Sequence, residues 1–157
     1  MITVTPDVFR LAQVFTISRG SRTEARVLTV RVTRGGVTGW GECVPYARYG
    51  ETLESVAAQI ESLPQGITRD ALQAAVPAGA ARNAVDCALW DLWAKQTGRR
   101  VWQLADLPEP GPEITAYTLS LDTPDVMRAA AAKNAHRPLL KIKLGTPDDM
   151  PRLEAVR

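Results

Sequence analysis

The chain of 157 residues has only two cysteines, Cys43 and Cys87, and a single histidine, His136. With no CxxC pair, the two thiols read as buried residues rather than as a disulfide framework or a zinc site. A lone histidine cannot build a histidine metal cluster. No run of about 18 apolar residues occurs, so no helical membrane span is encoded. The first ten residues lack a basic segment followed by an apolar one, which points to a cytoplasmic protein. Charge is nearly balanced, 19 Lys+Arg against 17 Asp+Glu for a net of +2. That balance excludes a strongly basic nucleic-acid binder or a protein dominated by an acidic tail. What remains is an ordinary soluble composition, 45% hydrophobic and 23% charged, in a chain long enough for one domain, or one domain and part of another.

The first forty residues read as strands. Ile2 and Val4, then Phe9 and Leu11, precede a polar stretch over residues 18–24, which reads as a loop. Val27, Leu28, Val30 and Val32 form a strand ending at Gly35-Gly36, a hairpin signal because both positions accept positive φ. Residues 37–43 form the returning strand, giving a three-stranded antiparallel meander. Residues 45–51 (PYARYGE) form a loop. Thr52 caps a helix carrying Val56, Ile60 and Leu63, and Thr68 caps a second through Val76. The longest helix spans residues 79–97 and is closed by Gly98. Ala81, Ala84, Val85, Ala88, Leu89 and Leu92 form its apolar stripe, which Cys87, Trp90 and Ala94 widen. Strands followed by segregated helices describe an α+β unit.

After Pro108-Glu-Pro-Gly-Pro112, a linker by composition, the order changes. Strand (114–121), helix (124–135), strand (139–144) and helix (from about 147) alternate, which argues for a parallel sheet. Thr123-Pro124 and Thr146-Pro147 repeat an N-cap followed by proline in the first helical turn.

Lys141-Ile142-Lys143 is the most informative triplet. Residues two apart on a strand share a face, about 7 Å apart at Cα. Two ammonium groups on one face repel, which lowers the pKa of each and makes one a base near neutral pH. The same triplet also fits an exposed edge strand with two solvated lysines, although a parallel strand flanked by helices is covered on both faces. Gly39-Trp40-Gly41-Glu42 reads as a tight bend carrying an acid. Arg19 and Arg22 could grip a carboxylate bidentately, or be solvated. Tyr46, Arg48 and Tyr49 cluster in the second loop. Asn83, Asp86 and Asp91, on the long helix, fit bracing roles better than catalysis. Trp90, Trp93 and Trp102 read as core and domain-contact residues, and His136 as a helix end.

Five segments in this order resemble the enolase superfamily: FTISRGSRTEARVLTVRV, GWGECVPYARYGET, VPAGAARNAVDCALWDLWAK, TAYTLSLDTP and LLKIKLG. The resemblance covers essentially the whole chain. It is to the N-terminal half of the muconate-lactonizing subgroup, and within it to dipeptide epimerases of the L-Ala-D/L-Glu type.

The resemblance implies an α+β capping domain (residues 1–112) and the first two βα units of a TIM-like barrel (113–157). It implies an isomerase that epimerises an acidic dipeptide by 1,1-proton transfer at the carbon α to a carboxylate, in peptidoglycan-peptide metabolism. Lys143 matches the second lysine of the KxK motif and would move the α-proton on one face. Lys141 would hold the Lys143 pKa down and stabilise the enolate. Arg22 would meet the acidic side chain of the dipeptide, and Thr118 and Tyr49 would contact substrate, with residues 46–51 as a further specificity element. Mg²⁺ would stabilise the enediolate. Its three acidic ligands, and the opposing lysine, belong to later barrel strands, so both are expected beyond Arg157. The segment alone is therefore expected to be inactive, and the intact protein to be a homo-oligomer that binds neither nucleic acid nor membrane. The same motifs also fit a muconate cycloisomerase or an o-succinylbenzoate synthase. A capping domain used alone as a binding module is the non-enzymatic alternative.

Overall fold

The computed structural model describes residues 1–145, 147 and 149–157. The chain divides into two compact units, Met1–Phe9 with Arg26–Pro110, and Arg10–Ala25 with Gly111–Arg157.

Three strands, β1 (Ile2–Ile17), β2 (Gly20–Arg34) and β3 (Val37–Cys43), are ordered β1-β2-β3. Strand β1 lies at the sheet edge, the place where Pro6 can lack an amide hydrogen without losing a ladder bond. Gly35 and Gly36 turn β2 into β3 with φ of 57° and 77°, the positive pair that a tight hairpin of type I′ requires. The register sets Leu28 opposite Cys43, Val30 opposite Gly41 and Val32 opposite Gly39. Leu28, Val30 and Val32 are all buried on that face.

In the first unit, that face is covered by helices α1 (Leu53–Glu61), α2 (Arg69–Ala75) and α3 (Ala80–Thr97), with a short α4 (Val101–Leu104) beyond. Thr52 and Ser55 cap α1 reciprocally, each side chain accepting the other's backbone N–H at 3.0 Å. Thr68 caps α2, and Gly98, at φ 67°, ends α3 in the left-handed conformation. The six stripe residues of α3 are its buried ones.

Helix α3 sits directly on β3. A Cβ added at Gly39 would collide with the Ala88 carbonyl oxygen and lie 2.5 Å from the Leu92 nitrogen. One added at Gly41 would collide with the Ala84 carbonyl oxygen and lie 2.9 Å from the Ala88 nitrogen. The Gly-Trp-Gly-Glu segment is therefore the interior of the expected returning strand, pressed against a helix, and not a tight bend. At the solvent edge of this contact, Asp91 accepts the Trp40 N–H at 2.8 Å and Lys95 Nζ at 2.6 Å. Asp86 accepts two bonds from Arg69, at 2.8 and 3.2 Å, and the Arg69 guanidinium lies 3.7 Å from the Trp90 ring centroid. Both acids brace the fold, as their place on the helix suggests.

In the second unit, β4 (Tyr117–Leu119) and β5 (Leu140–Ile142) pair in parallel, followed by α5 (Pro124–Lys133) and α6 (Asp149–Val156) respectively. Leu119, Leu121, Met127, Ala131 and Ala155 are its buried apolar residues. The hairpin segment belongs to this unit through two bonds: Thr16 N–H donates to Ser120 Oγ at 2.8 Å, and Leu121 N–H to the Thr16 carbonyl at 3.0 Å. Antiparallel sheet and helices first, then parallel strand–helix units, is the architecture the sequence predicts.

Several details differ. Residues 18–24 are not a loop: only Ser18 and Arg19 turn, and β2 starts at Gly20. Their side chains are largely exposed, so the strand carries no apolar alternation to reveal it. Strands β4 and β5 are shorter than the apolar runs suggest, and α6 starts at Asp149. The expected cap at Thr146 lies outside the described residues. Cys87 is exposed, because it stands beyond the edge of the α3 stripe. Trp93 is exposed as well, stacked on half-buried Trp90 at 5.3 Å between centroids.

Because neither the strand nor the helix backbone can yield cheaply, Gly41→Ala is expected to cost about 3 kcal/mol or more of stability. Gly66→Ala, where an added Cβ meets nothing within 4 Å, should stay within about 0.5 kcal/mol. Urea unfolding of both variants checks the contrast.

Candidate functional site

Two clusters hold the residues that the sequence singles out, one in each unit. In the second unit, the parallel register sets Thr118 beside Lys141. In-register neighbours project from the same face of a sheet, so the threonine hydroxyl and the lysine share one side. Leu119 and Ile142 pair one position further along and project from the other side, where Leu119 is buried. Lys143 stands just past the end of β5, two residues beyond Lys141 and half-buried, whereas Lys141 is exposed. Alternation assigns it to the Lys141 side. The carboxyl ends of parallel strands are where α/β folds place their chemistry.

Gly145 closes this strand exit. At φ 135° it takes a conformation that other residues avoid, and an added Cβ would lie 2.7 Å from Ser18 Cβ. The hairpin turn thus packs against the segment two residues after Lys143. The Gly145 N–H donates to Asp149 Oδ2 at 2.6 Å, fixing that exit to the start of α6. Arg22 lies on β2 in this same unit, exposed, four residues after Ser18.

The first unit holds the second cluster. Residues 47–49 form a single 3-10 turn ended by Gly50 at φ 74°. Tyr46 and Tyr49 pack with ring centroids 5.7 Å apart, and Tyr49 is 75% exposed. Glu51 anchors the loop at both ends of its carboxylate. Oε2 accepts the Tyr46 N–H at 3.1 Å, and Oε1 accepts the Ala80 N–H, at the first turn of α3, at 2.7 Å. A cleft of about 630 Å³ lies here, lined by Cys43, Tyr46, Tyr49, Glu51, Gly79 and Asn83. Burial pushes the Cys43 thiol up to about 11, assisted by the charges of Glu51 and Glu42 and opposed by a hydrogen bond with the Leu28 backbone. Cys43 is thus a neutral packing residue at neutral pH and no nucleophile.

No group of three or more His, Cys, Asp or Glu that could hold a metal ion occurs among the described residues. The described residues therefore do not fit a Mg²⁺ site by themselves. Nor is any helix among them long and apolar enough to cross a membrane.

Residues 1–105 match the model for the mandelate racemase / muconate lactonizing enzyme N-terminal domain. The chain belongs to this family. Within the family it is 44% identical to the L-Ala-D/L-Glu epimerase of Escherichia coli K12, over 99% of this chain and 50% of that protein. Among solved structures, an enolase family member from Agrobacterium tumefaciens, with homology to dipeptide epimerases and bound to sodium and L-Ala-L-Glu, superimposes with a TM-score of 0.93. It is 54% identical, over 99% of this chain and 49% of that one. The dipeptide epimerase of Enterococcus faecalis V583, complexed with Mg and L-Leu-L-Tyr, is 30% identical with a TM-score of 0.84, over 99% of this chain and 49% of that one. The chain thus spans about half the length of these family members.

Two features of this family member were not evident in its sequence. Glu51 appears there only as the end of an aromatic loop, and Gly145 only as the residue after a strand. A carboxylate directly before a helix cap, Thr52, is the one local hint for Glu51, and its partner Ala80 lies 29 positions away.

The Cys43 shift has a sign that can be tested. A thiol whose pKa is raised by folding stabilises the fold while protonated, and that contribution fades as pH rises from about 9 through about 11. Urea midpoints should fall across this window and fall less in Cys43→Ala. An identical slope in both proteins would remove Cys43 as the cause.

Proposed function

We propose that this chain is the N-terminal part of an isomerase that epimerises an acidic dipeptide, residues 1–112 forming the cap and 113–157 the start of a barrel. The observation that carries the reading is the lysine row at the exit of β5, with Thr118 beside Lys141 in the parallel register. High similarity to an L-Ala-D/L-Glu epimerase over nearly the whole chain supports it.

The proposed chemistry is a proton transfer at the carbon between an amide nitrogen and a carboxylate. Lys143, as the neutral amine, takes the α-proton and becomes an ammonium, while the C–H electron pair moves into the carboxylate to give an enediolate. In the opposite direction the Lys143 ammonium returns the proton to the same face. Lys141, cationic and on the same side, favours the charge that develops on the substrate. Thr118 is placed to donate a hydrogen bond to substrate from the adjoining strand. Arg22 offers a planar fork of donors for the side-chain carboxylate of the dipeptide. Tyr49 is the proposed contact for the remaining part of the substrate. Inversion requires a second base on the opposite face, and the carbanion requires stabilisation by more than one cation. The proposal leaves both to the rest of a longer protein, where Mg²⁺ is the expected ion.

Incubation of the full-length protein with L-Ala-L-Glu and Mg²⁺ in D₂O should place deuterium at the glutamyl α-carbon. No incorporation from either epimer would falsify the reading. Lys143→Ala should abolish exchange from at least one epimer. Arg22→Ala should raise KM for the acidic dipeptide about tenfold or more, the loss of one charge-assisted pair, and change KM for L-Ala-L-Leu little. NMR of the exchange reaction and steady-state kinetics read the two outcomes.

A further inference from the structure

Glu51 stands in an unusual position for an acidic side chain in an aromatic loop. Its two oxygens are committed to two backbone amides from different elements, Tyr46 at the start of the loop and Ala80 at the start of α3. Both bonds are charge-assisted, and the one to Ala80 gains further from the positive end of the α3 macrodipole. Gly79 is part of the same arrangement. Its φ of 166° is extended backbone open to any residue, yet an added Cβ would lie 2.9 Å from Glu51 Oε1. An alanine here would make the Glu51 carboxylate give way.

We infer that Glu51 is a positioning residue, whose carboxylate clamps residues 46–51 to the N-terminus of α3 and so holds Tyr46 and Tyr49 in the place from which the loop meets substrate. The inference rests on the proposed reading of this loop as a specificity element. Only a carboxylate meets the requirement. A glutamine in the same rotamer accepts one N–H but presents its own NH₂ to the other, which leaves one partly buried donor unpaired. Aspartate is one methylene too short to span both amides. Helix α3 is a firm anchor for the clamp because its backbone is seated on Gly39 and Gly41 of β3.

Two variants break the clamp in different ways. Glu51→Gln keeps size and removes charge, and Gly79→Ala keeps the charge and pushes the carboxylate off the Ala80 amide. In the full-length protein with L-Ala-L-Glu, each is expected to raise KM about tenfold, the equivalent of one charge-assisted bond, with kcat within about twofold. Val32→Ala, a core cavity where β2 pairs with Gly39 and away from the loop end of β3 at Cys43, controls for general destabilisation and should lower Tm with KM unchanged. Exchange of the Tyr46 amide, followed by hydrogen–deuterium exchange, should accelerate in both clamp variants and not in Val32→Ala. A KM unchanged in Glu51→Gln and Gly79→Ala overturns the inference, as does a rise of the same size in Val32→Ala. If the unaltered protein turns over no dipeptide, the functional reading fails on its own. The Tyr46 exchange rate then decides the clamp, with acceleration supporting it and an unchanged rate overturning it.

Discussion

The backbone of α3 rests on the backbone of β3, and most of the first unit takes its geometry from that contact. Helix and strand normally stand apart by the width of their side chains. Here Gly39 and Gly41 contribute none, and the helix answers with Ala84 and Ala88 at the points of approach. Such an arrangement is short in reach and steep in energy, because any displacement either opens a void or drives carbonyl oxygens into the strand. The helix consequently has one depth and one rotation. Its polar contacts inherit that precision: Asp91 reaches the Trp40 amide, Asp86 reaches Arg69, and the first amide of the helix meets Glu51.

A loop otherwise made of tyrosines, an arginine and a glycine is thereby referred to the best-determined part of the unit. Gly50 gives the 3-10 turn its left-handed exit, and the Tyr46–Tyr49 contact gives it an apolar interior, but neither ties it to the scaffold. The carboxylate does. In the second unit the equivalent task is done by backbone alone, since parallel pairing aligns Thr118 with Lys141 and carries the chain on to Lys143. Lys141 thus stands on a strand and Lys143 just past its end, where register fixes them, while Tyr49 lies in a loop and Arg22 on a hairpin, where side chains can differ without cost to the sheet.

How much of this is legible in the sequence depends on whether the responsible partner is near in the chain. The α3 stripe is readable because helical periodicity is local, and its six apolar positions are the six buried ones. Gly35-Gly36, Thr52, Thr68 and Gly98 are readable for the same reason, each acting on its own turn. Residues 20–24 are not, since a strand with both faces near water needs no apolar alternation and is held by a ladder partner that the pattern does not mention. The strand over residues 37–43 is readable, but why Gly39 and Gly41 interrupt it is not until α3 is laid upon them. Cys87 reads as buried because it adjoins the stripe, and one further step around the helix is enough to expose it. For the site, the shared face of Lys141 and Lys143 follows from strand periodicity, whereas Thr118 as the neighbour of Lys141 follows only from register. The reach of Glu51 to Ala80 is a tertiary fact that no local motif encodes.

The seat of Ser18 against Gly145 bears on how this hairpin can change over evolutionary time. Its turn is two residues long, and the serine already occupies the space a side chain at position 145 would need. A longer turn would carry Ser18 past this seat, and a shorter one would leave the glycine uncovered. Insertions and deletions in the turn would therefore disturb this seat. Replacement of the exposed residues over 20–24, such as Arg22, alters the chemistry the hairpin presents while leaving its length untouched.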